Sequence, residues 1–188
     1  MPNYRRVWVP GGTFFFTVNL LDRSQRLLVE HADMLRVAFR EAQCARPFRV
    51  IAIAVLPEHL HCLWQLPDGD ADNADRWARI KSGFSRRLPK TEYRSATRIS
   101  KRERGIWQRR FWEHMVIDEH DLQSHFDYIH YNPVKHGHVS RAVEWPYSSV
   151  HRYIASGQLP ADWAGDAVPP RDLFEPRAVG QGPPYVEL

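Results

Sequence analysis

The sequence predicts an α+β fold of the ferredoxin-like, split βαβ kind, an antiparallel sheet with helices packed on one face. Three observations carry this reading. Runs rich in β-formers alternate with helix-period segments in the order β-α-β-β-α-β, followed by one more helix. The 188 residues are a one-domain length. With 43% hydrophobic and 12% aromatic residues, the chain has enough apolar matter for a sizeable core.

GGTFFFTVNLL (11–21) follows a Gly-Gly turn and reads as the first strand. In HADMLRVAFREAQCARP, Met34, Leu35, Ala38, Phe39 and Ala42 recur at helical spacing until Pro47 stops the pattern. FRVIAIAVL (48–56) is a strongly apolar strand, Pro57-Glu58 a tight connection, and HLHCLWQL (59–66) the next strand. DGDADNAD supplies helix-capping residues. Trp77, Ile80, Phe84 and Leu88 then mark an amphipathic basic helix. Residues 89–105 show little pattern and are expected to form a mobile basic loop. FWEHMVI (111–117) is the last strand. A helix then opens at Asp118 or Glu119, carries Leu122, Phe126 and Ile129, and is expected to end at Asn132-Pro133. YSSVHRYIASG (147–157) reads as a short closing helix. These elements make residues 1–157 one domain. Residues 158–188 hold six of the 14 prolines and no clear period, an acidic, proline-rich C-terminal tail.

Several classes are excluded at the outset. No stretch approaches the roughly 20 apolar residues of a membrane helix, and MPNYRRVWVP lacks the apolar core of a signal peptide. Cys44 and Cys62 have no CxxC spacing, so a disulfide framework is not expected. A cytoplasmic protein follows. No Walker motif occurs, so no nucleotide cofactor is expected.

Charge is concentrated. Residues 76–110 hold 13 Lys/Arg against two acids, a local net of +11, whereas residues after Gly157 carry five acids against two arginines, or −3. Trp77, Phe84, Trp107, Phe111 and Trp112 interleave the positive run. Stacking rings among cations suit unpaired nucleic-acid bases, although a solvated basic helix has the same composition. The acidic tail is expected either to fold back over the basic groove and compete with substrate or to be inert.

PEHLHCLWQLP, Pro57 to Pro67, carries the chemistry. Alternation along a strand puts His59 and His61 on one side with Leu63 and Gln65, and Leu60 and Cys62 on the other. Two imidazoles on one sheet surface make a two-point ligand set for a divalent cation; two water-bonded histidines on an exposed strand would share the pattern. In SHFDYIHYNP (124–133), Tyr128 and Asn132 are four apart on one helix face, with His125 on the same stripe. One helix can thus offer a phenol and an amide oxygen to a facing strand, or simply bury a tyrosine against an amide.

Together these residues resemble a family. PEHLHCLW is similar to the histidine–hydrophobic–histidine motif of single-tyrosine DNA transposases, and YIHYNPVKHG resembles their nucleophile helix. YRR near the start, GGTFFFTVNL, IWQRRFWEH, WPYSS and DWAG resemble the REP-associated tyrosine transposases of bacteria, from about Tyr4 to Gly165. The resemblance implies metal-dependent cleavage and rejoining of single-stranded DNA at hairpins of repetitive extragenic palindromes. It makes Tyr128 the nucleophile and His59, His61 and Asn132 the ligands of Mg²⁺ or Mn²⁺. Insertion-sequence relatives often place Gln where this chain has Asn132, one methylene shorter. Tyr131 is the rival nucleophile. Candidate phosphate contacts are Arg5, Arg6, Lys81, Arg86, Arg87, Arg109, Arg110 and Lys135. The resemblance leaves monomer and homodimer open and implies a bacterial, nucleoid-associated location. Two other readings remain. One is a non-catalytic hairpin DNA- or RNA-binding module; the other is a zinc hydrolase, which lacks any HExxH spacing.

Overall fold

Four strands pair in the spatial order β2-β3-β1-β4, with every neighbouring pair antiparallel. In this computed structural model, which describes residues 8–101 and 103–163, they are β1 (Thr13–Asn19), β2 (Arg49–Val55), β3 (His59–Gln65) and β4 (Trp112–Met115). The helices are α1 (Leu27–Glu30), α2 (Ala32–Ala45), α3 (Asn73–Arg87), α4 (Ala96–Ser100), α5 (Glu119–Lys135) and α6 (Val150–Ala155), with a 3₁₀ turn at Ala142–Glu144. The split βαβ order read from the sequence is therefore present. Arg5, Arg6 and the tail from residue 164 lie outside the described residues.

The sheet is buried on both faces, and alternation along β1 and β3 sorts the two layers. Phe14, Phe16, Val18, Leu60, Cys62 and Trp64 join one cluster with Leu35, Ala38 and Phe39 of α2 and Trp77, Ile80 and Phe84 of α3. The Trp64 and Trp77 rings stack at 4.6 Å, and Trp64 Nε1 donates to Asn73 Oδ1 at 2.8 Å. Helices α2 and α3 approach closely at Gly83, where an added Cβ would sit 3.2 Å from the Ala38 Cβ. Asp72 caps α3 by accepting from the Asp75 amide. Beneath that cap the fully buried Arg76 guanidinium is held by Asp70, at 2.8 and 3.0 Å, and by the Pro47 carbonyl at 2.6 Å.

The other face belongs to α5. Phe15, Ala52, Ala54, Leu56 and Leu63 pack there with Tyr128 and Ile129. The one-face arrangement thus holds for α2 and α3, while α5 adds a layer on the opposite side. Ala52 and Ala54 explain how it fits: a register shift between Val50 and Ala52 turns these small side chains toward the helix. Ile53 and Val55 pack instead on the α2–α3 side.

Two expected boundaries are corrected. Helix α5 runs through Pro133 to Lys135 instead of ending at Asn132-Pro133. The proline removes one amide donor inside the helix, and the helix ends only at the glycine motif that follows. Here the Gly137 amide donates to Val134 O at 2.9 Å and the His138 amide to Pro133 O at 2.9 Å, with Gly137 at φ 69°. Residues 89–105, expected to be a patternless loop, contain α4 and are tied to α3. The Arg104 guanidinium pairs with Glu92 and donates to the Ser85, Leu88 and Pro89 carbonyls.

The outer edge of β2 is covered. Val55 N donates to Tyr147 O at 2.9 Å, Ser149 N to Ile53 O at 2.8 Å, and Trp145 Nε1 to Val55 O at 2.9 Å. Among the described residues no helix is long and apolar enough to cross a membrane.

Candidate active site

His59 and His61 stand on a central strand, one residue apart and therefore on one face, with ring centroids 4.9 Å apart. They are only 3% and 2% exposed, so the water-bonded alternative does not describe them. Strand pairing sets Asn19 opposite His59 and Thr17 opposite His61. From the α5 layer the Tyr128 ring comes to 5.1 Å from the His61 ring, at an interplanar angle of 70°. Asn132, one turn further along α5, is completely buried. The strand pair and both helix residues thus belong to one layer of the protein.

Each imidazole is oriented by a partner on Nδ1. His59 Nδ1 lies 2.9 Å from Glu58 Oε1, which also accepts from Arg23 at 3.2 Å. Burial works to raise the Glu58 carboxyl, but its hydrogen bond to His59, the charge there and Arg23 outweigh it and hold the group at about 2. An ionised carboxylate only accepts, so His59 Nδ1 donates to Glu58. His61 Nδ1 is hydrogen-bonded to Thr17 Oγ1 at 2.9 Å. Burial, and then the neighbouring His59, His136 and Lys135, push His61 well below the usual imidazole range and keep it neutral.

Three polar atoms of these residues lack protein partners: His61 Nε2 and both Oδ1 and Nδ2 of Asn132 are buried without a hydrogen bond. An unsatisfied buried polar atom costs about 1–3 kcal/mol, and such atoms are uncommon in native structures. Two imidazoles held through Nδ1 and a buried carboxamide are ligand types that fit a divalent cation. Cys62 does not belong to it, since it packs in the α2–α3 layer.

Positive charge beside the tyrosine comes from Lys135, whose Nζ lies 5.1 Å from the Tyr128 ring centroid. The other described cations stand elsewhere. Lys81, Arg86 and Arg87 are on α3, across the sheet from Tyr128. Lys81 donates to Gln108 O at 3.0 Å, Arg87 pairs with Glu41, and Arg86 is exposed beside Ser82. Arg109 pairs with Glu103 at 3.0 Å, and Arg110 is exposed just before β4.

Sequence reading passed over Thr17, Glu58 and Phe15. Thr17 interrupts an apolar run on the face it shares with Phe15, which was a legible signal. Glu58 adjoins the histidine motif directly. Phe15 forms the floor, with its ring 5.5 Å from His61, 6.0 Å from Tyr128 and 4.6 Å from His125.

Known proteins match this chain over most of its length. No protein-family model matches the chain. A Haemophilus influenzae protein carrying the name REP-associated tyrosine transposase is 47% identical over 168 residues, covering 88% of this chain and 95% of that protein. The REP-associated tyrosine transposase of Escherichia coli K12 is 45% identical over 166 residues, covering 88% and 93%. A solved structure of a REP-associated tyrosine transposase bound to a REP hairpin superposes with a TM-score of 0.77 at 45% identity, covering 89% of this chain and 94% of that one. A fold match and nearly half-identical sequence over almost the whole of each relative lead to one conclusion: the chain belongs to the REP-associated tyrosine transposase family.

Proposed function

We propose that this protein cleaves and rejoins single-stranded DNA at the foot of repetitive extragenic palindromic hairpins, through a 5′-phosphotyrosine on Tyr128. The observation that carries the reading is the approach of the Tyr128 ring to His61 of the buried pair, together with the unpartnered His61 Nε2 and Asn132 amide atoms. The Tyr128 phenol oxygen attacks the scissile phosphorus, the P–O3′ bond breaks, and the phenol proton is given up as the 3′ oxygen leaves as a hydroxyl. Attack by a 3′-OH reverses the step, and the covalent bond conserves the energy so that no ATP is needed. Lys135 places a positive charge beside the group that becomes negative during attack. His59, His61 and Asn132 would hold Mg²⁺ or Mn²⁺, which supplies Lewis-acid stabilisation of the phosphate charge. Two imidazoles suit Mn²⁺ at least as well as Mg²⁺.

The substrate class follows from the solved relative, which is bound to a REP hairpin. Arg109, Arg110 and Lys135 are the described cations nearest in sequence to β4 and α5, and phosphate contacts from them would supply affinity and register. Chromosomal hairpins as substrate place the protein at the bacterial nucleoid.

The test is a hairpin oligonucleotide with a single-stranded foot, incubated with Mg²⁺ or Mn²⁺ and run on a denaturing gel. Wild type forms a covalent protein–DNA band and Tyr128→Phe does not, while both bind the hairpin. Loss of the band in Tyr131→Phe but not in Tyr128→Phe would reassign the nucleophile. Hairpin binding with no adduct in any condition would make the protein a non-catalytic hairpin binder.

A further inference from the structure

We propose that His114, Asp121 and His125 form a second metal site, taking a borderline transition ion of the Zn²⁺ class, that fastens edge strand β4 to the first turns of α5. One ligand atom from each of the three lies within 4.8 Å of the others. Asp121 and His125 are one turn apart on α5, and His114 projects from β4 to meet them. His114 Nε2 is 2.8 Å from Asp121 Oδ2. Tetrahedral coordination at about 2.0–2.1 Å sets ligand atoms roughly 3.3 Å apart, a spacing that the observed 2.8 to 4.8 Å brackets.

The supporting structure is what a ligand set needs. His125 is buried, and its Nδ1 lies 2.9 Å from the Asp121 main-chain carbonyl, a hydrogen bond that commonly orients a metal-binding imidazole. Asp121 Oδ2 also accepts from the Ile117 amide at 3.0 Å. The two imidazole rings stack at 4.7 Å, which keeps both close to the carboxylate. Partial exposure of His114 and Asp121 leaves an entry path. Two imidazoles and one carboxylate favour Zn²⁺, Co²⁺ or Mn²⁺ over Mg²⁺. Burial opposes charge on both groups. It depresses His125, whereas at Asp121 the His114 and Ile117 hydrogen bonds outweigh it and lower the carboxyl. A carboxylate and a neutral imidazole bind metal without first losing protons.

This site is separate from the His59–His61 pair. The Phe15 ring stands against both, 4.6 Å from the His125 ring and 5.5 Å from the His61 ring. Its expected consequence is mechanical: a bound ion cross-links β4 to the helix that carries Tyr128 three residues beyond His125.

The experiment uses Zn²⁺ alone and removes the first histidine pair, so that the outcomes at the two sites are independent. The His59→Ala/His61→Ala protein, dialysed against Zn²⁺ and measured by atomic emission, should retain about one ion per chain with a raised melting temperature. Adding His114→Ala should weaken Zn²⁺ binding by at least about tenfold and abolish the thermal shift. No ion retained by the double variant, or retention unchanged by His114→Ala, overturns the proposal. Should a variant fail to fold, Zn²⁺-soaked wild-type crystals decide by anomalous scattering. A peak enclosed by His114, Asp121 and His125 supports the site, and its absence overturns it.

Discussion

The Thr17 hydroxyl lies 2.9 Å from His61 Nδ1, directly across the β1–β3 pair. This bond anchors a buried imidazole through Nδ1. Thr17→Val keeps the shape of the side chain and removes the partner. We expect a loss of about 1 kcal/mol in stability and a 10- to 100-fold weaker Mn²⁺ requirement curve for cleavage. A metal titration of adduct formation checks this, and an unshifted half-maximal Mn²⁺ concentration would show that the hydroxyl does not set the imidazole.

Ser149 is a junction between three elements. Its Oγ accepts from the Ile53 amide of β2 at 2.9 Å and lies 2.8 Å from His130 Nε2 on α5. Burial holds His130 down at about 3, so the imidazole is neutral and needs this partner. Ser149→Ala strands two polar atoms at once and should cost about 2–4 kcal/mol in urea denaturation, with little change in the slope of the transition.

Arg76 is completely buried, and among the described residues Asp70 is its acidic partner, at 2.8 Å. Hydrogen bonding to Arg76 holds the Asp70 carboxyl at about 2, below its ordinary 3.8. A depressed carboxyl stabilises the fold above the unfolded value, and that contribution fades as pH falls from about 4 toward 2. Asp70→Asn should therefore flatten the acid limb of a stability–pH curve between those values. Asp70→Ala should cost about 3 kcal/mol at pH 7 by leaving a buried cation unpaired. Equal destabilisation of wild type and Asp70→Asn on acidification to pH 2 would contradict the assignment.

Arg104 holds residues 89–105 against α3 through Glu92 and three main-chain carbonyls. Arg104→Ala should release that segment while the sheet stays folded. Limited trypsinolysis reads the change directly: cleavage near Lys90, Arg94 and Arg98 should accelerate several-fold while the far-ultraviolet circular dichroism stays constant.

What the sequence disclosed and withheld can be traced to particular residues. Period-2 alternation in HLHCLWQ placed His59 and His61 together and sent Cys62 away, because that inference needs only one strand. The i, i+4 relation of Tyr128 and Asn132 was equally local. The side of the sheet that α5 covers depends on Ala52 and Ala54 being turned inward by a register shift, and a shift leaves no mark in residue order. The termination of α5 was misplaced because Pro133 is a strong local breaker, while the Gly137 motif that ends the helix lies four residues further on. Arg104 reads as one more cation in a basic run, since beside Glu92 its partners are main-chain carbonyls that carry no sequence signature. In the His114–Asp121–His125 grouping Asp121 and His125 are one helical turn apart, but residue order does not tie His114 of the preceding strand to them.

The sheet itself shapes how nucleic acid can be handled. The cations of α3 and the Tyr128 pocket lie on opposite sides of it, and the margin along β2 is closed by residues 145–149. A polyanion touching both sides has to turn sharply around the short β4 margin or the strand ends. Straight duplex, with a persistence length of about 150 base pairs, resists a turn on that scale, whereas a hairpin that passes into an unpaired foot makes it at the junction. In a protein that engages DNA on both sides, selectivity for a branched shape over a linear helix would then come from the path the backbone must follow, before any base is read.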